Sequence, residues 1–369
     1  MTTDPLRQLR AEGLSLWLDG VDGRLIENGT LDHAVDALGV TGVTCAPAGD
    51  GGDPGVLGSR QGRTAVGESA AYGAAPAEVA RTVAARGARA VCAALLPVWS
   101  ASRGAEGMAC APVGHTLDAR SALAEARWLH WTVDRPNLLA GLPADPVGMA
   151  TMSDCLAEGI GVAVGPVYGA EQYHQVLDAW LQGLERAHAA GLSLAGIPAA
   201  VHIPVSAIEE AARPLLAAHT GPAAQGLDHR IGIAVARLVF SAYEHVLDTP
   251  RWHDLVRAGA RPHRLVWSVD TDQAARLAGG LIAEGTAQSL TAEGLRLLSG
   301  SVVPMEGDTL SGRTAAAHAD LDLLSDLGVE WPRRVKELGQ DAPRHQNDAW
   351  HALVDEVAQA MEQAGRHPR

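Results

Sequence analysis

Short apolar runs alternate with longer stretches whose apolar residues recur every three or four positions. The apolar runs are LSLWLD (14–19), GVTC (42–45), RAVCAALL (89–96), GMACAPV (107–113), NLLAGL (137–142), IGVAVGPV (160–167), AAVHIPV (199–205) and RLVWSV (264–269). Several are apolar throughout, as strands covered on both faces are. The stretches between them carry the helical period. In YHQVLDAWLQGLERAH (173–188), Val176, Leu177, Trp180 and Leu184 fall on one stripe. The segment 228–247 reads as a long helix with Asp228 as its N-cap. Strands alternating with helices predict a parallel sheet or barrel. The number and order of these segments predict an α/β fold, a closed (β/α)₈ TIM barrel with extra C-terminal helices.

Residues 46–75 are rich in Gly, Asp and Ser and read as a mobile loop after the second strand. Their glycines match neither the GxxxxGK[ST] nor the GxGxxG spacing, so no phosphate cradle is expected there. Residues 331–369 read as a helical tail, and no internal repeat is visible, so the whole of 1–369 is expected to form one barrel domain. The formal charge of −14 is spread along the chain, which argues against a nucleic-acid or anionic-membrane partner. No run of eighteen apolar residues suggests a membrane span, and MTTDPLRQLRAEG has no apolar segment of a signal peptide, so a cytoplasmic setting is expected. Cys45, Cys92, Cys110 and Cys155 form no CxxC pair, and the fifteen histidines form no HxH or HExxH set. No metal and no cofactor are expected. A small-molecule substrate is the expected partner, and the sequence carries no signal for an oligomeric state.

Several runs resemble the actinobacterial transaldolases. Leu14-Ser15-Leu16-Trp17-Leu18-Asp19 resembles their first strand, and Gly39-Val40-Thr41-Gly42-Val43-Thr44 their second. Val133-Asp134-Arg135-Pro136-Asn137 resembles the approach to the strand that carries the Schiff-base lysine, and Arg261-Pro262 with Trp267 a late strand. The resemblance covers most of residues 10–300, with an unmatched insertion around 93–107, and implies a transaldolase-like barrel.

The family's functional residues are largely replaced. Where transaldolases read NLMIKIPAT, this chain reads Asn137-Leu138-Leu139-Ala140-Gly141-Leu142-Pro143-Ala144, so Gly141 stands at the lysine position. The whole chain has one lysine, Lys336, in the charged stretch WPRRVKELG. Cys45-Ala46-Pro47 stands where the family has an active-site asparagine, and the family glutamate has no counterpart near Cys110-Ala111-Pro112. Ala163 and Gly165 stand at the family's asparagine and threonine, Ala207 at its phosphate-gripping arginine, and His202 at a serine. Asp270, Thr271 and Asp272 fall near late basic and hydroxyl positions. Asp19 alone matches, as the acid/base carboxylate.

Each of these residues has a plainer reading beside the functional one. Asp19 ends the first strand at the mouth where barrel enzymes work, although DGVDGR is also turn-like. His202 is a general acid or base titrating near neutrality, or a core histidine in an apolar strand. Asp270 and Asp272 bind substrate, hold a metal, or cap the helix that follows. Tyr168 donates a hydrogen bond into the mouth or packs. Cys45 lines the site; as a nucleophile it would need an activating partner. Trp99, Trp128 and Trp131 line a pocket or pack in the core.

The expectation is an enzyme that has lost Schiff-base chemistry and acts as a lyase, isomerase or cyclase. Asp19 and His202 would be catalytic, and Cys45, Gly141, Gly165, Tyr168, Asp270 and Asp272 would bind substrate. A larger, unphosphorylated substrate is expected in a widened mouth, in secondary metabolism by analogy with other retasked sugar enzymes. The alternative is a catalytically dead barrel that binds a sugar or a protein.

Overall fold

The computed structural model describes residues 4–46, 55–113, 118–219, 221 and 224–366. Eight strands close a barrel in chain order: β1 (Ser15–Val21), β2 (Gly42–Cys45), β3 (Met108–Pro112), β4 (Leu138–Leu142), β5 (Val162–Val164), β6 (Ala199–Pro204), β7 (Arg264–Ser268) and β8 (Thr286–Leu290). All neighbours are parallel, and β1 pairs with β8 through Ser15↔Ala287 to Leu18↔Leu290, which completes the ring. Parallel strands need a crossover each, and helices such as Ala119–Val133, Pro146–Ala157 and Ala170–Ala189 supply them on the outer face.

The strand period of two sorts the side chains into two layers. Leu16, Leu18, Val43, Ala109, Leu138, Ala140, Val162, Val164, Val201 and Ile203 point outward and form the main core with the helices. Trp17, Met108, Leu139, Ala163, Ala200, Val266 and Ala287 point inward and fill the barrel. The Trp17 indole lies where a Cβ on Gly42 would stand, so β2 passes close to β1 only because Gly42 has no side chain. This plug closes the barrel beneath the C-terminal mouth.

Seven of the eight expected strand segments hold strands. The exception is 89–96, which lies inside the 26-residue helix Pro76–Ala101. The last strand, Thr286–Leu290, comes from a segment with no apolar run. Part of the expected loop 46–75 is structured: residues Arg60–Ala71 form a helix, and 47–54 lie outside the described residues. Asp228 does not cap the following helix, which begins at Ile231 with Arg230 as N-cap.

The C-terminal segment is one long helix, Trp331–Arg366. Its first part joins the main core through Trp331 and Ala342. Its last part forms a separate apolar cluster, with Leu353 and Val357 packed against Ala65 and Val66 of helix Arg60–Ala71 and Val79, Ala80 and Val83 of helix Pro76–Ala101. No described helix is long and apolar enough to cross a membrane.

Candidate active site

A cavity of about 220 Å³ opens at the C-terminal end of the barrel. Thr44 and Cys45 of β2, Cys110 and Pro112 of β3, Gly141 and Leu142 of β4, Ala163 and Gly165 at β5, His202 and Pro204 of β6, and Ser268 of β7 line it. Gln346 of the C-terminal helix completes the wall. Among the described residues lining the cavity there is no lysine, arginine, aspartate or glutamate.

Asp19 sits at the rim. The β1–β2 register shifts between Leu18 and Val21, a bulge at Asp19-Gly20 where Gly20 has φ +71°. Bulges re-aim a side chain, and here the carboxylate meets Thr44, whose hydroxyl Oγ1 donates to Asp19 Oδ1. Thr44 lines the cavity, so Asp19 lies one residue behind its wall.

His202 faces the same lumen. Its ring meets the edge of Trp17 with centroids 5.7 Å apart at 71°. Its Nε2 is buried without a hydrogen-bond partner. Burial pushes its pKa down to about 4, so the ring is neutral at neutral pH. This corrects the expected titration near neutrality. His202 thus lines the cavity, and Asp19 meets its wall through Thr44.

The glycines at the mouth have close neighbours. A Cβ on Gly165 would lie 2.8 Å from the Cβ of His202 and 3.0 Å from its carbonyl oxygen. The Cβ and backbone of His202 therefore fill space that a side chain at 165 would need. A Cβ on Gly141 would lie 3.1 Å from Cys110 Sγ and 3.2 Å from Ala111 O. A thiol and the β3 backbone thus crowd the position above Gly141. The cavity is below the roughly 300–1,000 Å³ common for drug-sized ligands, which favours a small substrate over a larger one.

Both thiols at the mouth are held protonated. Burial raises Cys110 to about 12, with the nearby Asp19 charge adding to the effect. Burial raises Cys45 well above the usual thiol range, helped by the neighbouring Cys92 and Cys110. Cys45 therefore stands as a cavity wall and not as a nucleophile.

Three predicted substrate-binding residues do not line the cavity. Tyr168 is buried in the main core; its backbone N–H donates to Gln172 Oε1 at 2.9 Å, and burial with the Asp341 charge raises its hydroxyl pKa. Asp270 and Asp272 are exposed beyond β7. The Asp270 backbone N–H donates to Ser206 Oγ at 2.9 Å, and partial burial plus the charges of Glu210, Asp272 and Asp19 raise its carboxyl pKa. The helix that follows begins at Ala274 with Gln273 as N-cap, so Asp272 precedes it in a turn. Among the described residues no cluster of His, Cys, Asp and Glu could hold a metal ion. Trp128 and Trp131 are exposed on helix Ala119–Val133, and Trp99 lines a different cavity beside Met108 and His263 at the N-terminal end of the barrel.

A family profile for Transaldolase/Fructose-6-phosphate aldolase matches residues 16–276, the stretch that builds β1 to β7 and all of the cavity lining but Gln346. The chain belongs to that family. Its similarity to curated members extends over nearly the whole length. It is 33% identical to Transaldolase 1 of Streptomyces avermitilis, over 99% of this chain and 97% of that protein. It is 32% identical to the Transaldolase of Acidothermus cellulolyticus, over 99% of each. It is also 32% identical to the Transaldolase of Thermobifida fusca, over 97% of this chain and 98% of that protein. The chain's single lysine, Lys336, is exposed on the C-terminal helix, outside the barrel. Sequence reasoning missed Gln346, Thr44, Ser268 and the roofing role of Cys110. The strand period places the last three in the lumen, whereas Gln346 had no local signal.

Proposed function

We propose that this chain is a transaldolase-family enzyme that works by acid/base catalysis without an imine, as a lyase, isomerase or cyclase on a small unphosphorylated substrate. The observation that carries this reading is the pairing at the mouth. Gly141 offers no amine beneath Cys110 Sγ, while His202 lines the cavity and Asp19 meets its wall through Thr44. Asp19 is the proton-transferring carboxylate, oriented by Thr44. His202 is neutral at working pH and its unpartnered Nε2 takes or shares a proton on the substrate. The described lining residues carry no lysine or arginine to meet a phosphate dianion, which favours an uncharged substrate.

Solvent exchange tests this. Unphosphorylated aldoses, ketoses and 2-keto acids are incubated with the protein in D₂O and followed by proton NMR. The expected outcome is deuterium at a carbon beside a carbonyl of at least one compound, with loss of that exchange in Asp19→Asn and His202→Gln. Binding without exchange by any compound would favour a barrel that only binds.

A second reading, an ordinary transaldolase, is favoured by the names of the relatives. It requires a trapped imine. Borohydride reduction in the presence of fructose 6-phosphate, followed by mass analysis, decides between the two.

A further inference from the structure

The cavity has an asymmetric wall. Its β4–β5 side consists of Gly141, Leu142, Ala163, Gly165 and Pro166, with no polar side chain, whereas Thr44, His202 and Ser268 stand on other strands. A hydroxylated substrate lying against the bare side would lose its water there without a side-chain partner, a cost of roughly 1–3 kcal/mol per unsatisfied group. Polar reach on that side comes from outside the barrel.

The C-terminal helix supplies it. Early in the helix, Val335 packs on the segment after β5: a Cβ on Gly169 would lie 3.3 Å from Val335 Cγ1. Further on, Leu353 and Val357 are fully buried against helices Arg60–Ala71 and Pro76–Ala101. Gln346 lies between these two anchored stretches and at the edge of the cavity. Its Nε2 donates to Gly165 O at 3.3 Å. That bond holds the amide by its nitrogen end and leaves Oε1 as an acceptor.

We propose that Gln346 is a substrate-recognition residue whose amide oxygen accepts a hydroxyl of the bound substrate. The helix thereby provides the polar contact that β4 and β5 lack. An uncharged amide suits a neutral polyhydroxylated compound, and its anchorage on Gly165 O reduces the ordering cost on binding. The proposal rests on the reading of the cavity as the site of an unphosphorylated substrate.

The test uses dihydroxyacetone, glyceraldehyde, erythrose and fructose as probes, with calorimetry or ligand-observed NMR on the full chain. Wild type, Gln346→Ala and Gln346→Met are compared; the methionine variant keeps the bulk and loses the hydrogen bonds. At least one probe is expected to bind wild type and to bind both variants about tenfold more weakly, which is about 1.4 kcal/mol. Hydrogen exchange across residues 340–357 is expected to stay unchanged, because Gln346 is exposed and holds no core contact. Wild-type affinity in Gln346→Met, or in both variants, overturns the proposal while the reading of the cavity stands. If no probe binds wild type, the unphosphorylated-substrate reading fails and the proposal fails with it.

Discussion

His263 and His202 are both held where a proton is unwelcome, and both give the protein a pH dependence. His263 is 1% exposed, its Nε2 shares a 2.8 Å hydrogen bond with the Tyr173 hydroxyl, and Trp180 and Tyr243 surround the ring. Burial pushes its pKa to about 3 and that of His202 to about 4, from an ordinary 6.5. Between those values the unfolded chain binds protons that the folded chain refuses. Stability is therefore complete above pH 6.5 and falls as pH drops toward 4. Thermal melts across that window should show a falling Tm, and His263→Phe should flatten the slope; an unchanged slope would show that the acid sensitivity has another origin. Gly165→Ala should cost about 1–3 kcal/mol, because its methyl must displace His202 or the β6 backbone. If the protein catalyses the proposed exchange, Asp19→Asn should lower it by about 10²–10⁴-fold and leave the Tm nearly unchanged, since the side-chain shape is kept. The wild-type exchange should show an acid limb near pH 4 and a flat profile at neutrality, which a pH–rate series reads directly.

The strands that carry the site were legible because their inward and outward positions alternate within apolar runs. The stretch 89–96 misled because a continuous apolar run has no period of its own. Its helical partners lie upstream: Val79, Ala80 and Val83 continue through Ala88, Val91, Cys92 and Leu95 at three- and four-residue spacing. Strand β8 was hidden for the opposite reason. Thr286, Gln288 and Ser289 are buried polar residues, and Thr286 Oγ1 and Gln288 Nε2 donate to the carbonyls of Ala283 and Ala278. Such satisfaction is tertiary and leaves no mark on a hydropathy pattern. The same holds for Gln346, whose place at the cavity depends on how the C-terminal helix docks. Leu353→Ala tests that docking. Removing a fully buried leucine from the small cluster should cost about 2–5 kcal/mol. Hydrogen exchange should then rise along Trp331–Arg366 more than in the barrel strands; uniform loosening would show that the helix and barrel unfold together.

In the molecule as a whole, a family barrel carries Gly141 on β4, where the family resemblance implies a lysine. The plug of Trp17 over Gly42, the eight-strand closure and the placement of Asp19 are consistent with a family likeness that spans nearly the whole chain. Position 141 carries no amine, which the sequence alone shows; that a Cβ there would lie 3.1 Å from Cys110 Sγ it does not show. Borohydride with dihydroxyacetone or fructose 6-phosphate should therefore leave no reduced adduct on any internal residue, because imine formation needs an amine beside the carbonyl. An adduct on Lys336 alone would report an exposed surface amine, whereas activity with trapping inside the barrel would sink the reading of lost imine chemistry. Restoring the lysine should not by itself restore the reaction. In Gly141→Lys the new Cβ meets Cys110 Sγ at 3.1 Å, Ala111 O at 3.2 Å and the Pro112 Cα at 3.2 Å, so β3 must give way. The only flexible member of that set is the thiol. Gly141→Lys should thus lose stability by about 1–3 kcal/mol through overpacking, and Gly141→Lys combined with Cys110→Ala should recover part of that loss. Comparison of the single and double variants by denaturant unfolding measures the coupling, and simple additivity would show that Cys110 does not fill the lysine's place.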